Sequence, residues 1–592
     1  MKKLLLTLLV AMLALPSFAR DIKYTYEGQT LTYTVIDEET KTVKTKAGSI
    51  SSEDGPKAGN PFSGFVKLVI PSQIEDGYEK YTVTEIGEYG FYNCEKLSSI
   101  TIPNSVREIG EYAFYYCWNL RTVTMPNSVT EIKDYTFYRC PLTSITIPDS
   151  VTKIGGHAFD YCYELTSVTI PNSVREIGEY AFYECMGLTS VTIPESVREI
   201  GGHAFEHCYE LTSVTIPESV KEIGEYAFHE CGGLTYAEFA SIETLCGISF
   251  ANEYANPMYY TQKLYIDGKE VTSVTIPESI KEIKDYTFAG CSSLTSITIP
   301  DSVTSIGSYT FSGCSSLSSI TIPDSVTSIG SYTFSGCSSL SSITLPERVT
   351  SIGSFTFSGC SSLSSITIPE GVTSIGTYAF SECSSLSSIT IPEGVTSIAS
   401  SAFEFCRSLT SITIPEDVTS IGRGAFWGCN NLTSINIPDG VTSIGHNAFG
   451  GCSSLTSITI PDGVTSIGSL AFSDCSSLTS ITYLAKEPIE AGTDYWGNLI
   501  KFFDSTTYET ATLYMSEAGK EAAKDIEPWK NFKNIKVYVP ASIDEVIADF
   551  NEDAPCEVFN LNGVKVAEST DNLPAGIYIV RQGNVVKKIA VK

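Results

Sequence analysis

Leu317-Ser-Ser-Ile-Thr-Ile-Pro323-Asp-Ser-Val-Thr-Ser-Ile-Gly-Ser-Tyr-Thr-Phe334-Ser-Gly-Cys337 decides the fold, because each apolar position in it has a mechanical task. Ile320 and Ile322 alternate with Ser319 and Thr321 at a strand's period of two. Pro323 lacks the N–H that a ladder needs and closes that strand, and Asp324 with Ser325 supplies turn chemistry. Val326 and Ile329 re-enter the core, Gly330 permits a second corner, and Phe334 to Cys337 has the i, i+3 spacing of one helical turn. The stretch predicts one coil of a solenoid. A lone unit of this size has too little apolar surface to pack by itself, so neighbouring copies must cover it.

The copies are present. Cysteines fall at 94, 117, 140, 162, 185, 208 and 231, and again from 291 to 475, in steps of 23 with one step of 22. Prolines 103, 126, 148, 171, 194 and 217, then 277 to 461, keep the same period. With strands stacked roughly 4.8 Å apart, about seventeen coils give a rod or arc of about 80 Å.

The pattern L-x-x-I-x-I-P-x-x-V-x-x-I-G-x-x-A-F-x-x-C resembles the treponemal or BspA-like class of bacterial leucine-rich repeats, over residues 63 to 482. The resemblance implies a β-rich, right-handed leucine-rich-repeat solenoid of about seventeen 23-residue units. It also implies a bacterial surface or secreted protein, since some members are adhesins for host matrix proteins or other bacteria. The asparagine column of ordinary leucine-rich repeats is absent, so receptor analogies built on that class do not carry across.

The organisation follows from where the period starts and stops. Lys2 and Lys3, the apolar run Leu4 to Leu15 and Ser17-Phe18-Ala19 read as a signal peptide over residues 1–19, cut before Arg20. The run is too short to span a bilayer core of roughly 30 Å, so no transmembrane anchor is expected. Residues 20–62 read as a β-rich cap, 63–235 as a first repeat block, 236–270 as irregular coils with an insert, 271–482 as a second block and 483–540 as a C-terminal cap. Residues 541–592 read as a linker and a small β-sandwich, with hairpin signals at Asn562-Gly563 and Gly583-Asn584. About fifty residues there, including Leu573-Pro-Ala-Gly-Ile-Tyr, resemble the sorting domain of the Bacteroidota type IX secretion route. A plain accessory β-sandwich stays open as the alternative.

One cysteine per coil predicts a column of parallel neighbours, near one another but badly aimed for a disulfide, so the column is expected to be reduced core. Cys246 and Cys556 lie outside it. No C-x-x-C pair exists, and His157, His203 and His207 read as variable surface positions, so neither a metal nor a cofactor is expected. No nucleophile or nucleotide motif has supporting context, which argues against an enzyme. The net charge of −30 disfavours nucleic acid and anionic membranes. From Glu195 onward the residue after each strand proline is acidic, a ridge that could bind divalent cations weakly or serve turn formation and solubility alone.

Residues 89 to 236 carry Tyr112, Tyr115, Tyr116, Trp118, Tyr135, Tyr138, Tyr161, Tyr163, Tyr180, Tyr183 and Tyr209 where the later block often has Ser or Gly. Tyrosine and tryptophan combine large contact area with a polar tip, so this strip is the expected binding surface for a protein or glycan at a host or bacterial surface. The chain is accordingly read as a secreted or cell-surface adhesin or interaction scaffold. Two other readings stay open: a structural stalk without ligand, and a glycan- or ice-binding array built on the Ser319 and Thr321 columns.

Overall fold

A computed structural model describes residues 20–26, 29–46, 66–493 and 499–538, together with the strands Glu557–Phe559, Lys565–Ala567, Gly576–Gln582 and Val585–Val591. The expected signal peptide, the linker from 541, Cys556 and both C-terminal hairpin turns lie outside the described residues. Leu317, Ile320, Ile322, Val326, Ile329, Phe334 and Cys337 are all buried, as the period requires.

Each coil has three hydrogen-bonded sides. Ser319–Thr321 pairs in parallel with Ser296–Thr298, in register, one coil below. Ser328–Ile329 is a second, two-residue strand, paired with Ser305–Ile306, so the return path is itself a ladder where one strand per coil was expected. The third side was expected to be a helical turn, and it is not helix. Tyr332, Phe334 and Gly336 donate their N–H groups to Ser354, Thr356 and Ser358 of the next coil at 2.7–2.9 Å. Tyr332 and Gly336 sit in the left-handed region, with φ of 60° and 73°, which alternates the backbone and keeps this side from becoming a strand.

The phenylalanines of this side form a continuous stack; Phe311 and Phe334 have centroids 5.6 Å apart and rings within 10° of parallel. The cysteine behind each ring does more than fill space. Cys337 Sγ donates to Phe311 O at 3.2 Å, a carbonyl that already accepts from Cys314 N at 3.1 Å. The thiol thus satisfies a second lone pair inside the core, which a methyl group could not do. Every described cysteine is buried and free, Cys246 included.

The stack comprises about nineteen turns rather than seventeen, because non-consensus segments continue it at both ends. Between Pro71 and Cys94 the extra nine residues are taken up by an antiparallel hairpin, Gln73–Asp76 with Glu79–Ile86, turning through Gly77 at φ 66°. Glu79–Ile86 pairs in parallel with Thr42–Thr45 on one side and with Glu108–Ile109 on the other, so the N-terminal sheet runs straight into the second ladder. At the far end Thr512–Met515 and Asn534–Val537 add two strands beyond Ser480–Tyr483. Trp529 covers the last open core, with its ring 4.5 Å from Tyr483 and Nε1 donating to Ile489 O at 2.8 Å. The four C-terminal strands pair into one antiparallel sheet, where a two-sheet sandwich was expected; no second sheet occurs there among the described residues.

The second ladder breaks in four places, three of them at coils whose corner residue is not glycine. Most coils carry glycine at the corner held by Gly330, whose N–H donates to Ile306 O at 2.9 Å. Its backbone is so close to the coil below that a Cβ would meet Ser308 N at 2.3 Å. Lys133, Lys284 and Ala399 occupy this corner in three coils, and there the equivalent bond is missing and the ladder restarts, whereas Ala251 keeps its bond to Ile223 O at 3.1 Å. The fourth break, at Ser351–Ile352, has glycine at the corner, and nothing in its packing explains it. Around residues 236–270 the first ladder also restarts. Asn256 bridges that junction from a buried position, donating to Tyr286 O at 2.9 Å and Thr287 O at 3.3 Å.

Candidate functional site: an aromatic edge

The left-handed third side turns its side chains outward in columns. Tyr89, Tyr112, Tyr135, His157, Tyr180, His203, Tyr226 and Tyr254 form one stack, with successive centroids 4.3–5.5 Å apart. Sequence reading placed Tyr112, Tyr135 and Tyr180 among the residues peculiar to the first block, and this is corrected. The same column position carries Tyr286, Tyr309, Tyr332, Phe355 and Tyr378 in the second block, before Ser401, Gly424, Asn447 and Leu470 end it, so these rings support both blocks rather than mark the first. All three are half-buried against their neighbours, as are Tyr115, Tyr116, Tyr138, Tyr161 and Tyr183.

What is peculiar to the first block lies three, four and six residues further along each coil. Tyr115, Tyr138 and Tyr183 occupy the position that is Ser312 and Ser335 later. Tyr116, Arg139, Tyr161, Glu184, His207 and Glu230 occupy the position that is Gly313, Gly336 and Gly359 later. All six of these non-glycine residues are left-handed, with φ between 51° and 62°. Each such residue costs roughly 1–2 kcal/mol over glycine, so the first block displays these side chains against a conformational penalty that the second block mostly avoids. Outermost come Trp118, Tyr163, Met186 and Tyr209, all exposed, at 37–42%. Met186 belongs to this row and was missed by reading for aromatics alone; its signal was its place directly after Cys185.

The histidines were read as variable surface positions, and that too is corrected. His157 Nδ1 lies 2.7 Å from Asp160, and His203 Nδ1 and His229 Nδ1 lie 2.5 and 2.6 Å from the two oxygens of Glu206. Asp160 and Glu206 are buried, so the half-buried imidazoles are partners that burial of a carboxylate demands. Burial pushes the Asp160 carboxyl up to about 6. Burial likewise pushes the Tyr115 and Tyr183 hydroxyls up, helped by Tyr116 at the first and by Glu206 and Glu184 at the second. Among the described residues no group of three or more His, Cys, Asp or Glu is placed to hold a metal ion.

Arg139 shows what the edge can hold. Its guanidinium carbon lies 4.3 Å from the centroid of Tyr161, 5.5 Å from Tyr116, 5.6 Å from Tyr138 and 5.8 Å from Trp118, within cation–π range of all four rings. The other charges are sorted by edge. Exposed Arg107, Arg175, Arg198 and Lys221 lie in one column near the strand prolines, whereas Glu179, Glu210, Glu225 and Glu230 flank the rings. The edge is therefore apolar in its faces, polar at its tips and acidic at its margins.

No helix among the described residues is long and apolar enough to cross a membrane. The chain is similar to a leucine-rich repeat protein from Bacteroides ovatus, 26% identical over 86% of this chain and 98% of that one, with a TM-score of 0.43. It is also similar to a leucine rich cell surface protein from Faecalibacterium prausnitzii A2-165, 28% identical over 76% of this chain and 94% of that one, with a TM-score of 0.32. No curated protein matches it. The model of the BspA type leucine rich repeat region matches residues 74–166, 130–256, 261–387 and 373–491, in keeping with the 23-residue coil, and the chain belongs to that family.

Proposed function

We propose that this is a non-enzymatic binding protein of the bacterial surface, an adhesin or interaction scaffold, whose binding face is the aromatic edge between Tyr89 and Tyr254. The observation that carries the reading is the pairing of exposure with conformational penalty. Trp118, Tyr163, Met186 and Tyr209 face solvent while the residues beside them hold left-handed backbone that the second block gives to glycine. Exposed rings set around a desolvated centre are what a hot spot needs. The second block, uniform and rich in Ser and Gly, serves as a spacer in this reading. Residues 1–19 direct export, and residues 541–592 act as a sorting signal that the solenoid does not need for folding.

The test is to give the first block the second block's residues: Tyr115→Ser, Tyr116→Gly, Trp118→Ser, Tyr138→Ser and Tyr161→Gly in the full chain. Adhesion to immobilised host matrix and bacterial surface extracts should be lost while the circular dichroism spectrum and cooperative unfolding persist. Unchanged adhesion by the folded variant removes the edge from consideration. For the terminal module, deletion of residues 551–592 in a type IX-competent host should abolish surface display and leave thermal unfolding as it was.

A further inference from the structure

We infer that the partner of the aromatic edge is an extended, arginine- and lysine-rich polypeptide segment, bound by ring faces and by carboxylates that have no cation of their own; this rests on the reading of the edge as the binding face. The molecule already carries a bound example in Arg139. Its guanidinium is held among four rings, with hydrogen bonds to the Tyr138 and Tyr161 side chains and no ion pair among the described residues, while its Nε is buried without a hydrogen-bond partner. The next coils repeat the walls without supplying the cation. Tyr183, His207 and Tyr209 continue the edge beyond the Arg139 cage, and Glu184, Glu210 and Glu230 stand beside them with no ion pair among the described residues. A neutral sugar can stack on the rings and donate hydroxyls to the carboxylates but leaves their three charges uncompensated, whereas a cationic side chain neutralises the carboxylate and stacks on the ring.

The spacing suits a chain laid along the rod. Glu184 and Glu230 are two coils apart, about 10 Å at the usual strand separation. Cations three residues apart on an extended or polyproline-like segment lie about 9 Å apart, so successive basic side chains can meet successive carboxylates. Arg121, paired with Glu164, and Arg139 reach the edge only in its earlier coils; alongside Glu184, Glu210 and Glu230 the cations of the block, Arg198 and Lys221, lie in the column near the strand prolines. Arginine should be preferred over lysine, because a planar guanidinium stacks on a ring and pairs with a carboxylate together.

The experiment uses the full chain and three fluorescently labelled twelve-residue peptides that carry arginine, lysine or glutamine at every third position and serine elsewhere, followed by anisotropy. The arginine peptide should bind most tightly, the lysine peptide several-fold more weakly, and the glutamine peptide not measurably, with affinity falling as salt is raised. Tyr183→Ser with Tyr209→Ser should weaken the arginine peptide about ten-fold. Glu184→Gln with Glu210→Gln and Glu230→Gln should do the same and is expected to leave the fold alone. Glu347→Gln with Glu370→Gln and Glu393→Gln, on the acidic ridge of the second block, should change nothing. Equal losses from the two glutamine triplets would mean that net charge alone attracts the peptide, and would overturn the inference. So would tight binding of the glutamine peptide or of a neutral β-glucan hexasaccharide. Loss of adhesion in the serine/glycine variant above, combined with indifference to the Glu184 triplet, would keep the binding face and reject the basic partner.

Discussion

Gly330 and Gly336 lie six residues apart in one coil, and replacing each by alanine separates two physical reasons for glycine. At Gly336 the reason is conformational. Its φ is 73°, while an added Cβ would meet nothing closer than Gly313 Cα at 3.6 Å, so Gly336→Ala carries only the left-handed penalty of about 1 kcal/mol. At Gly330 the reason is approach. The Cβ would lie 2.3 Å from Ser308 N, the corner must move, and the Gly330 N–H···O=C Ile306 bond of 2.9 Å is lost, as it is at Lys133 and Ala399. An unmade backbone bond plus local overpacking amounts to about 2–3 kcal/mol. Long repeat arrays do not unfold in one step, so the readout should be local: hydrogen exchange of amides 326–332, supported by the urea midpoint. A loss of about 2 kcal/mol corresponds to roughly thirty-fold faster exchange at that corner. Gly336→Ala should accelerate exchange less, and Ala399→Gly should slow it and close the ladder between Ser374–Ile375 and Ser397–Ile398. The reasoning is refuted if Gly336→Ala proves the more damaging substitution, or if Ala399→Gly leaves exchange around residues 397–401 unaltered.

Three more outcomes are expected. The native protein should resist thiol reagents at pH 8, because the cysteines are buried and burial pushes thiols such as Cys360 up to about 12, and denaturation under alkylating conditions should reveal nearly all of them as free; a free count near zero would contradict the column geometry. Asp160 is lifted by burial to about 6 from the usual 3.8, so the folded state holds its proton more tightly than the unfolded state; its penalty is full above pH 6 and is relieved as pH falls toward 4. A lift of that size is worth up to about 3 kcal/mol, so Asp160→Asn should raise the urea midpoint at pH 7.5 and make little difference at pH 4; a lowered midpoint at pH 7.5 would show that the bond to His157 dominates. Trp529→Ala should cost about 3–5 kcal/mol locally and expose amides 480–537 to exchange, with the first block's protection intact.

The 23-residue period, by itself, determined the solenoid, the buried positions, the cysteine column and the acidic surface. These follow from residue type repeated at fixed spacing, and stacking of equivalent positions is the only way such short units can bury them. The shape of the third side could not be read, because Phe334 and Cys337 have helical spacing whether the backbone is helix or alternating left-handed turn. Inter-coil bonds at Tyr332, Phe334 and Gly336 chose the second, and with it they chose which columns face solvent. That choice moved Tyr112, Tyr135 and Tyr180 from candidate site to support, and brought Met186, Arg139 and the histidines into the edge. Partnership across coils decides it. Whether Glu206 gains His229 as a second partner, and whether Arg139 is free or caged by Tyr116, Trp118 and Tyr161, depends on neighbours one repeat away in sequence and one coil rise away in space.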